Sequence, residues 1–406
     1  MYGEWLSVPV GIDAHRWVTR SDCRTVLVVV HTMASAHRLL DVLELIESDQ
    51  RVQVVFSQAP DTFSSGVADF LRATEAVVLP WHQASRERFD LALAAAYGSL
   101  HLLHAPVVLM PHGAGHGKVS QPAGDSRAPR TATNVYGLDA QRLTRDGRLL
   151  ASALLLAHDG DLAVLRRQCP QALEVAAVVG DPCYDRLLVS LERRPHYRAA
   201  IGVDNDQELV VVSSTWGQQS LLGRNHDLLP RLLDELPSTG FRVAALVHPA
   251  VWFAHGPRQL RAWLADCLRA GLLLVGPEVD WRAAVVAADH VIGDHGSVPV
   301  YAAAIGRPVL QTETPPSAVT AADSPQAVLR RHAPQLSPGH PLLAQLRRAQ
   351  LTRPSDCATA VARRLTSRPG ESSAELRRIL HRLLGLAEPS GPRRATPVPI
   401  PCRIVR

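Results

Sequence analysis

Short β-branched and apolar runs alternate along this chain with longer stretches whose apolar positions fall at helical spacing. In the first half the runs predict strands at residues 25–30, 53–56, 76–79, 107–110, 153–156 and 175–179, with helices at 36–47, 65–73, 88–103 and 162–168 between them. Continuously apolar strands of this kind are buried on both faces, as in a parallel sheet covered by helices. The alternation stops over residues 190–206, a polar segment with Pro195 and Gly202 that reads as a helix end followed by a linker. It restarts with strands at 209–213, 242–247, 272–275, 290–292 and 309–311 and helices at 226–235, 258–269, 281–287 and 298–305. Beyond about residue 320 the chain is punctuated by proline, with Leu- and Arg-rich helices at 341–352 and 372–386. The pattern predicts an α/β protein with two Rossmann-like domains facing a cleft and a helical C-terminal extension. The first domain is expected over 1–195, the second over 200–370, a C-terminal helix over 371–388, and a Pro- and Arg-rich flexible tail over 389–406.

Composition narrows this picture. The chain has 406 residues, room for two or three cores, and its 46% hydrophobic and 20% charged content excludes a disordered protein. The net charge of +5 is scattered rather than clustered. It suits an anionic ligand such as a nucleotide diphosphate, and leaves peripheral attraction to an anionic membrane surface open. Zinc-finger, RNA-recognition and helix-turn-helix patterns are missing, so nucleic acid is not an expected partner. The six cysteines are far apart and show no metal-ligand spacing. Reduced thiols and a cytoplasmic location follow as expectations, with no signal peptide at the N-terminus. No apolar stretch reaches the roughly 20 residues that a membrane span needs. Nothing in the pattern sets an oligomeric state.

Two loops carry candidate chemistry. The run ending at Met110 empties into Pro111-His112-Gly113-Ala114-Gly115-His116-Gly117-Lys118, and residues 115–132 read as a mobile loop. A strand that ends in glycines and imidazoles places both at the carboxyl edge of a sheet, where ligands bind in open α/β folds. The loop matches neither a P-loop nor a dinucleotide fingerprint. In the second half, a strand ending at Ile292 meets Gly293-Asp294-His295-Gly296-Ser297 and then a helix, with Ser297 expected as its N-cap and Pro299 in its first turn. The amides of such a turn, at the positive end of a helix, form a site suited to a pyrophosphate.

These loops and four further motifs, in this order, resemble the CDP-glycerol glycerophosphotransferase-like enzymes within the wider GT-B glycosyltransferase superfamily. His112-Gly113 matches the family's strand-then-His-Gly loop, and Gly180-Asp181-Pro182-Cys183-Tyr184-Asp185 matches its Gly-x-Pro-x-x-Asp turn. Thr215-Trp216 matches a Thr-Trp pair, His248-Pro249 a His-Pro, and Gly306-Arg307-Pro308 a Gly-Lys-Pro. Asp280, Asp289 and Asp294 fall on a run of acidic positions that leads to an Asp-Tyr-Ser-Ser-like turn. Here that turn reads Asp294-His295-Gly296-Ser297, one hydroxyl short, and the first loop has fewer lysines than the family's.

The resemblance implies a transferase that moves a glycosyl or polyol-phosphate group from a nucleotide-diphosphate donor to a hydroxyl acceptor. It implies His112 as general base, with His116 a lesser candidate, and His248 as a catalytic contact to the donor phosphates. Gly113, Thr215, Gly293, Asp294, His295, Gly296 and Ser297 are the expected donor-binding positions. Asp185 is expected to fix its turn and Arg307 to be a solvated charge at a helix end. No Asp-x-Asp pair lies in the expected place, so neither a metal nor a further cofactor is expected beside the activated donor. Two alternatives stay open: a nucleotide-sugar epimerase on the same fold, and a degenerate non-catalytic nucleotide-binding or scaffold protein.

Overall fold

The computed structural model describes residues 5–11, 14–120, 134–313, 320–352, 354–391 and 394–401. The loop expected over 115–132 lies outside the described residues from 121 onward. The chain divides into two compact units, Met1–Cys183 with Thr366–Ala395, and Tyr184–Leu365 with Thr396–Arg406.

The first unit is built on seven parallel strands: β1 (Arg24–Val30), β2 (Val52–Gln58), β3 (Val78–Leu79), β4 (Leu91–Ala94), β5 (Val107–Leu109), β6 (Ala153–Leu156) and β7 (Ala176–Val178). Their order across the sheet is β3-β2-β1-β4-β5-β6-β7. Val26–Val29, Leu91–Ala94 and Val107–Leu109 are all buried, so the centre of the sheet is covered on both faces. The order reverses between β1 and β4, and this switch point opens a crevice at the carboxyl ends of the two strands.

β4 corrects the helix expected over 88–103. Leu91-Ala92-Leu93-Ala94 has high helix propensity, but the segment pairs with β1 on one side and β5 on the other and is fully buried. Two ladders and complete burial outweigh a propensity difference of about 0.5 kcal/mol per residue.

The second unit holds five parallel strands: β8 (Glu208–Ser214), β9 (Phe241–Val247), β10 (Leu273–Val275), β11 (His290–Gly293) and β12 (Val309–Gln311). They run in the order β10-β9-β8-β11-β12, again a Rossmann pattern with its switch point between β8 and β11. Leu228, Leu232, Trp252, Leu260, Leu342 and Leu346 pack on this sheet in one apolar cluster.

The boundaries also differ from expectation. The units divide at 183/184, and residues 190–206 hold a helix, Arg194–Ile201, closed by Gly202 at φ +75. Tyr197 and Ile201 are buried, so this polar segment is an amphipathic element of the second unit rather than a linker. The helix Pro354–Leu365 was not expected. The next one, Ser372–Leu383, packs on the first unit: His381 Nε2 lies 3.2 Å from Asp49, and Arg51 donates to the Ala387 carbonyl at 2.8 Å. The expected flexible tail is anchored within residues 397–398. Val398 is 1% exposed, its N–H donates to Ser190 Oγ at 2.9 Å, and its carbonyl accepts from Tyr197 Oη at 2.6 Å. An apolar side chain among the prolines gives the segment something to bury, which composition alone does not reveal.

No helix among the described residues is long and apolar enough to cross a membrane. The described cysteines Cys23, Cys169, Cys183, Cys267 and Cys357 are all free thiols.

Candidate active site

Each unit presents one cluster of the expected residues at the carboxyl edge of its own sheet. In the first unit, β5 ends at Leu109 and the chain turns at once into the His112 loop, in which Gly115 adopts φ +64. The His112 ring reaches back to the neighbouring strand end, with Nδ1 3.0 Å from the carbonyl of Ala95, the residue after β4. A carbonyl only accepts, so Nδ1 carries the proton and Nε2 keeps its lone pair. The residue has surface exposed to solvent, yet dense protein around the ring lowers its pKa to about 4, with Lys118, Arg38 and His116 adding repulsion and the Ala95 bond opposing. The direction is what the chemistry uses: near neutral pH the imidazole is uncharged.

The loop is held from below by a residue that the sequence did not single out. Arg38, on the helix Met33–Leu43, donates from Nη2 to the Gly113 carbonyl at 3.2 Å. Its guanidinium also meets both carboxylate oxygens of Asp181 at 3.3 and 3.4 Å, and both side chains are almost fully buried. The pair ties Asp181, just before the helix Pro182–Ser190, to the His112 loop, and breaking one partner of a buried pair typically costs about 3–5 kcal/mol. Arg38 has no sequence signal, because an arginine on an amphipathic helix ordinarily reads as a solvated charge. His116 is buried, with Nδ1 3.4 Å from Asp161, whereas His112 is exposed.

In the second unit three strand ends meet. The register sets Ser214 beside Val247 and Ser213 beside Gly293, so Thr215, His248 and Asp294 follow adjacent strands in one row. Asp294 binds this row together. Its Oδ2 accepts from Thr215 N at 2.8 Å, Thr215 Oγ1 at 2.7 Å and Leu221 N at 2.9 Å, while Oδ1 accepts from Gly296 N at 3.2 Å. With its carboxylate thus engaged and 3% exposed, Asp294 shapes the switch point rather than presenting a face to a ligand. Thr215 spends its hydroxyl proton and amide in the same way.

His248 caps the helix Pro249–His255: Nδ1 accepts from Ala250 N at 3.1 Å. This is the opposite tautomer to His112, with the proton on Nε2, and it makes that nitrogen a donor suited to an anionic oxygen. The helix Ser297–Ala304 starts one residue earlier than expected, and its N-cap is Gly296, not Ser297, with no side-chain cap bond. A capping hydroxyl would compete with a ligand for the first amides, and the N-cap glycine has no side chain to do so. The two glycines have packing reasons as well. A Cβ on Gly293 would lie 2.3 Å from Pro299 Cγ, and one on Gly296 would lie 2.8 Å from Thr215 Cγ2. His295 and Gly296 line a small pocket with Val300, Gln311, Thr320 and Arg330. Trp216 is exposed beside this row.

The other acidic positions serve the framework. Asp280 caps the helix Trp281–Ala287 and pairs with Arg282, and Asp289 pairs with Arg194 and Arg198. Asp185, expected to fix a turn, is buried in the first turn of the helix Pro182–Ser190. Among the described residues no group of three or more His, Cys, Asp or Glu side chains is arranged to hold a metal ion.

No protein-family model matches the sequence, and no curated protein matches it. Solved structures do match in fold. A histidine-to-asparagine variant of the wall teichoic acid polymerase TagF, soaked with CDPG, aligns with a TM-score of 0.59 at 13% identity, over 89% of this chain and 88% of that one. A histidine-to-alanine variant of the same polymerase aligns with a TM-score of 0.58 at 12% identity, over 89% of each chain. This chain therefore has the GT-B-like fold of that polymerase, two Rossmann-like α/β domains with helical C-terminal segments.

Proposed function

We propose that this protein is a transferase that moves a glycosyl or polyol-phosphate group from a nucleotide-diphosphate donor to a hydroxyl acceptor. The observation that carries the reading is the His112 ring: Nδ1–H is spent on the Ala95 carbonyl at a switch point, and Nε2 is left as an uncharged proton acceptor. The acceptor hydroxyl gives its proton to Nε2 as its oxygen forms the new bond. If a glycosyl group moves, the bond from its anomeric carbon to the diphosphate breaks and a nucleoside diphosphate leaves. If a polyol phosphate moves, the P–O–P bridge breaks and a nucleoside monophosphate leaves. Either leaving group gains negative charge, which the His248 Nε2–H and the first amides of the helix Ser297–Ala304 are suited to stabilise. A donor of the CDPG kind agrees with the fold, since the polymerase was soaked with that molecule.

His112→Ala and His248→Asn test this as a pair. The first should cut transfer about 100- to 10,000-fold and leave donor affinity unchanged. The second keeps a capping oxygen for the helix but loses the imidazole donor, so donor binding should weaken together with turnover. Titration calorimetry with nucleotide diphosphates and product release measured on both variants separate the roles. Wild-type turnover in His112→Ala removes the base assignment, and no turnover by the parent protein with any nucleotide-activated donor favours the non-catalytic alternative.

A further inference from the structure

At the amino edge of the second sheet, opposite the row of Thr215, His248 and Asp294, two arginines bind one carboxylate and a third stands near enough to feel their charge. Asp289, just before β11, takes Arg194 Nη2 on Oδ1 at 2.6 Å and Arg198 Nη1 on Oδ2 at 2.7 Å. Its Oδ2 also accepts the Leu209 amide at 2.9 Å. Both arginines project from the helix Arg194–Ile201 and spend further donors on the carbonyls that end the helix Trp281–Ala287: Arg194 on Ala287 and Ala288, Arg198 on Ala287. Arg198 is completed by the carbonyls of Asp204 and Gln207 at 2.9 and 2.6 Å. The third arginine, Arg307, leads into β12 at the same edge. Among the described residues its guanidinium has neither a hydrogen-bond acceptor nor an ion-pair partner, and its Nε is buried, as is the unpartnered Nε of Arg194. Burial acts on Arg307 first, then repulsion from Arg194 and Arg198, opposed by Asp289, and together they lower its pKa to about 10.

Two guanidiniums thus occupy the one carboxylate, and the third, Arg307, is left near them without an acceptor among the described residues. A half-buried guanidinium that faces two others is costly unless an anion joins it. Planar forks of N–H donors match the oxygens of a phosphate bidentately, as they match those of a carboxylate. We infer that Arg307 and Arg194 form a binding site for a phosphate group at the amino edge of the second sheet, apart from the carboxyl edge where the donor is proposed to bind. The site does not depend on the transferase reading, because neither arginine belongs to the proposed donor machinery.

Thermal unfolding of the full chain in inorganic phosphate, against chloride at equal ionic strength, tests the site. Phosphate should raise the wild-type Tm, by roughly 5–10 °C when it stands about a hundredfold above its Kd. Arg307→Gln should lose most of that rise and yet melt higher than wild type in chloride, since it removes a charge that two neighbours repel. Arg307→Lys should keep part of the phosphate response. His248→Asn should keep all of it, which separates this site from a phosphate held at the donor site. Nucleoside monophosphates in place of inorganic phosphate tell whether a larger phosphate ester fits, and a rise of either kind that depends on Arg307 supports the site. No phosphate-dependent rise in the wild type, or an equal rise in Arg307→Gln, overturns it.

Discussion

The two central histidines show how a backbone partner sets the role of an imidazole. His112 gives its Nδ1–H to a carbonyl and is left an acceptor, whereas His248 accepts an amide on Nδ1 and is left a donor. Nothing in the local motifs His112-Gly113 and His248-Pro249 carries that difference. The lowered pKa of His112, about 4, has a kinetic consequence. The free ring takes up its proton only as pH falls well below 6.5, so the acid limb of kcat/KM should lie nearer 4 than 6.5. A bound diphosphate brings negative charge that favours the imidazolium, so the acid limb of kcat should lie higher. Profiles of both parameters check this, and an acid limb of kcat/KM at 6.5 or above, assigned to His112 by its loss in His112→Ala, would contradict it.

At the scale of elements, the strand ends of the second unit are locked to one another by a single carboxylate. Asp294→Asn removes the charge and turns an amide donor toward N–H groups that need an acceptor. The loss of charge-assisted bonds should cost about 1.5–3 kcal/mol, a fall in Tm of roughly 3–12 °C for a unit of this size. Donor affinity should fall with it, because the Thr215 and Gly296 loops lose their common anchor. An unchanged Tm in calorimetry would mean that the loops hold their places without the carboxylate. The element that the sequence pattern misassigned, β4, supplies the strand end that His112 binds. Its Leu-Ala alternation is as good a helix as a buried strand, and only its two neighbours decide. The turn at Gly293–Ser297, by contrast, was legible as strand, glycine turn and helix, since proline and glycine constrain the backbone locally. The cap moved by one residue because Asp294, not Ser297, organises the turn.

At the scale of the whole molecule, the chain crosses between its units more than once. It leaves the first near residue 183, returns at 366, and enters the second again at 396. Truncation after Ala395 should therefore destabilise the second unit, although a Pro-rich end looks dispensable. It strips out Val398, whose burial contributes about 1.5–3 kcal/mol, and leaves Tyr197 Oη without its acceptor. Thermal unfolding and limited proteolysis of the truncated chain should show a less stable second unit, and an unaltered melting curve would restore the view of the tail as a free end.

The sequence by itself determined the two series of strands and helices, the Gly- and His-bearing loops at strand ends, and hence two Rossmann-like domains. These are short-range properties: the period of apolar positions and the backbone freedom of glycine and proline act within a few residues. What only the tertiary structure decided is long-range: the strand order with its switch points, the burial of β4, the return of the C-terminal helix to the first unit, the partners of Arg38 and Asp294, and the setting of Arg307. A charged or polar side chain takes its role from the atoms that replace its water, and those atoms lie tens or hundreds of residues away along the chain. Arg38 and Asp181 are 143 residues apart in the sequence, and Thr215 and Asp294 are 79 apart. Periodicity could announce the framework, but the meaning of each polar residue waited on its neighbours.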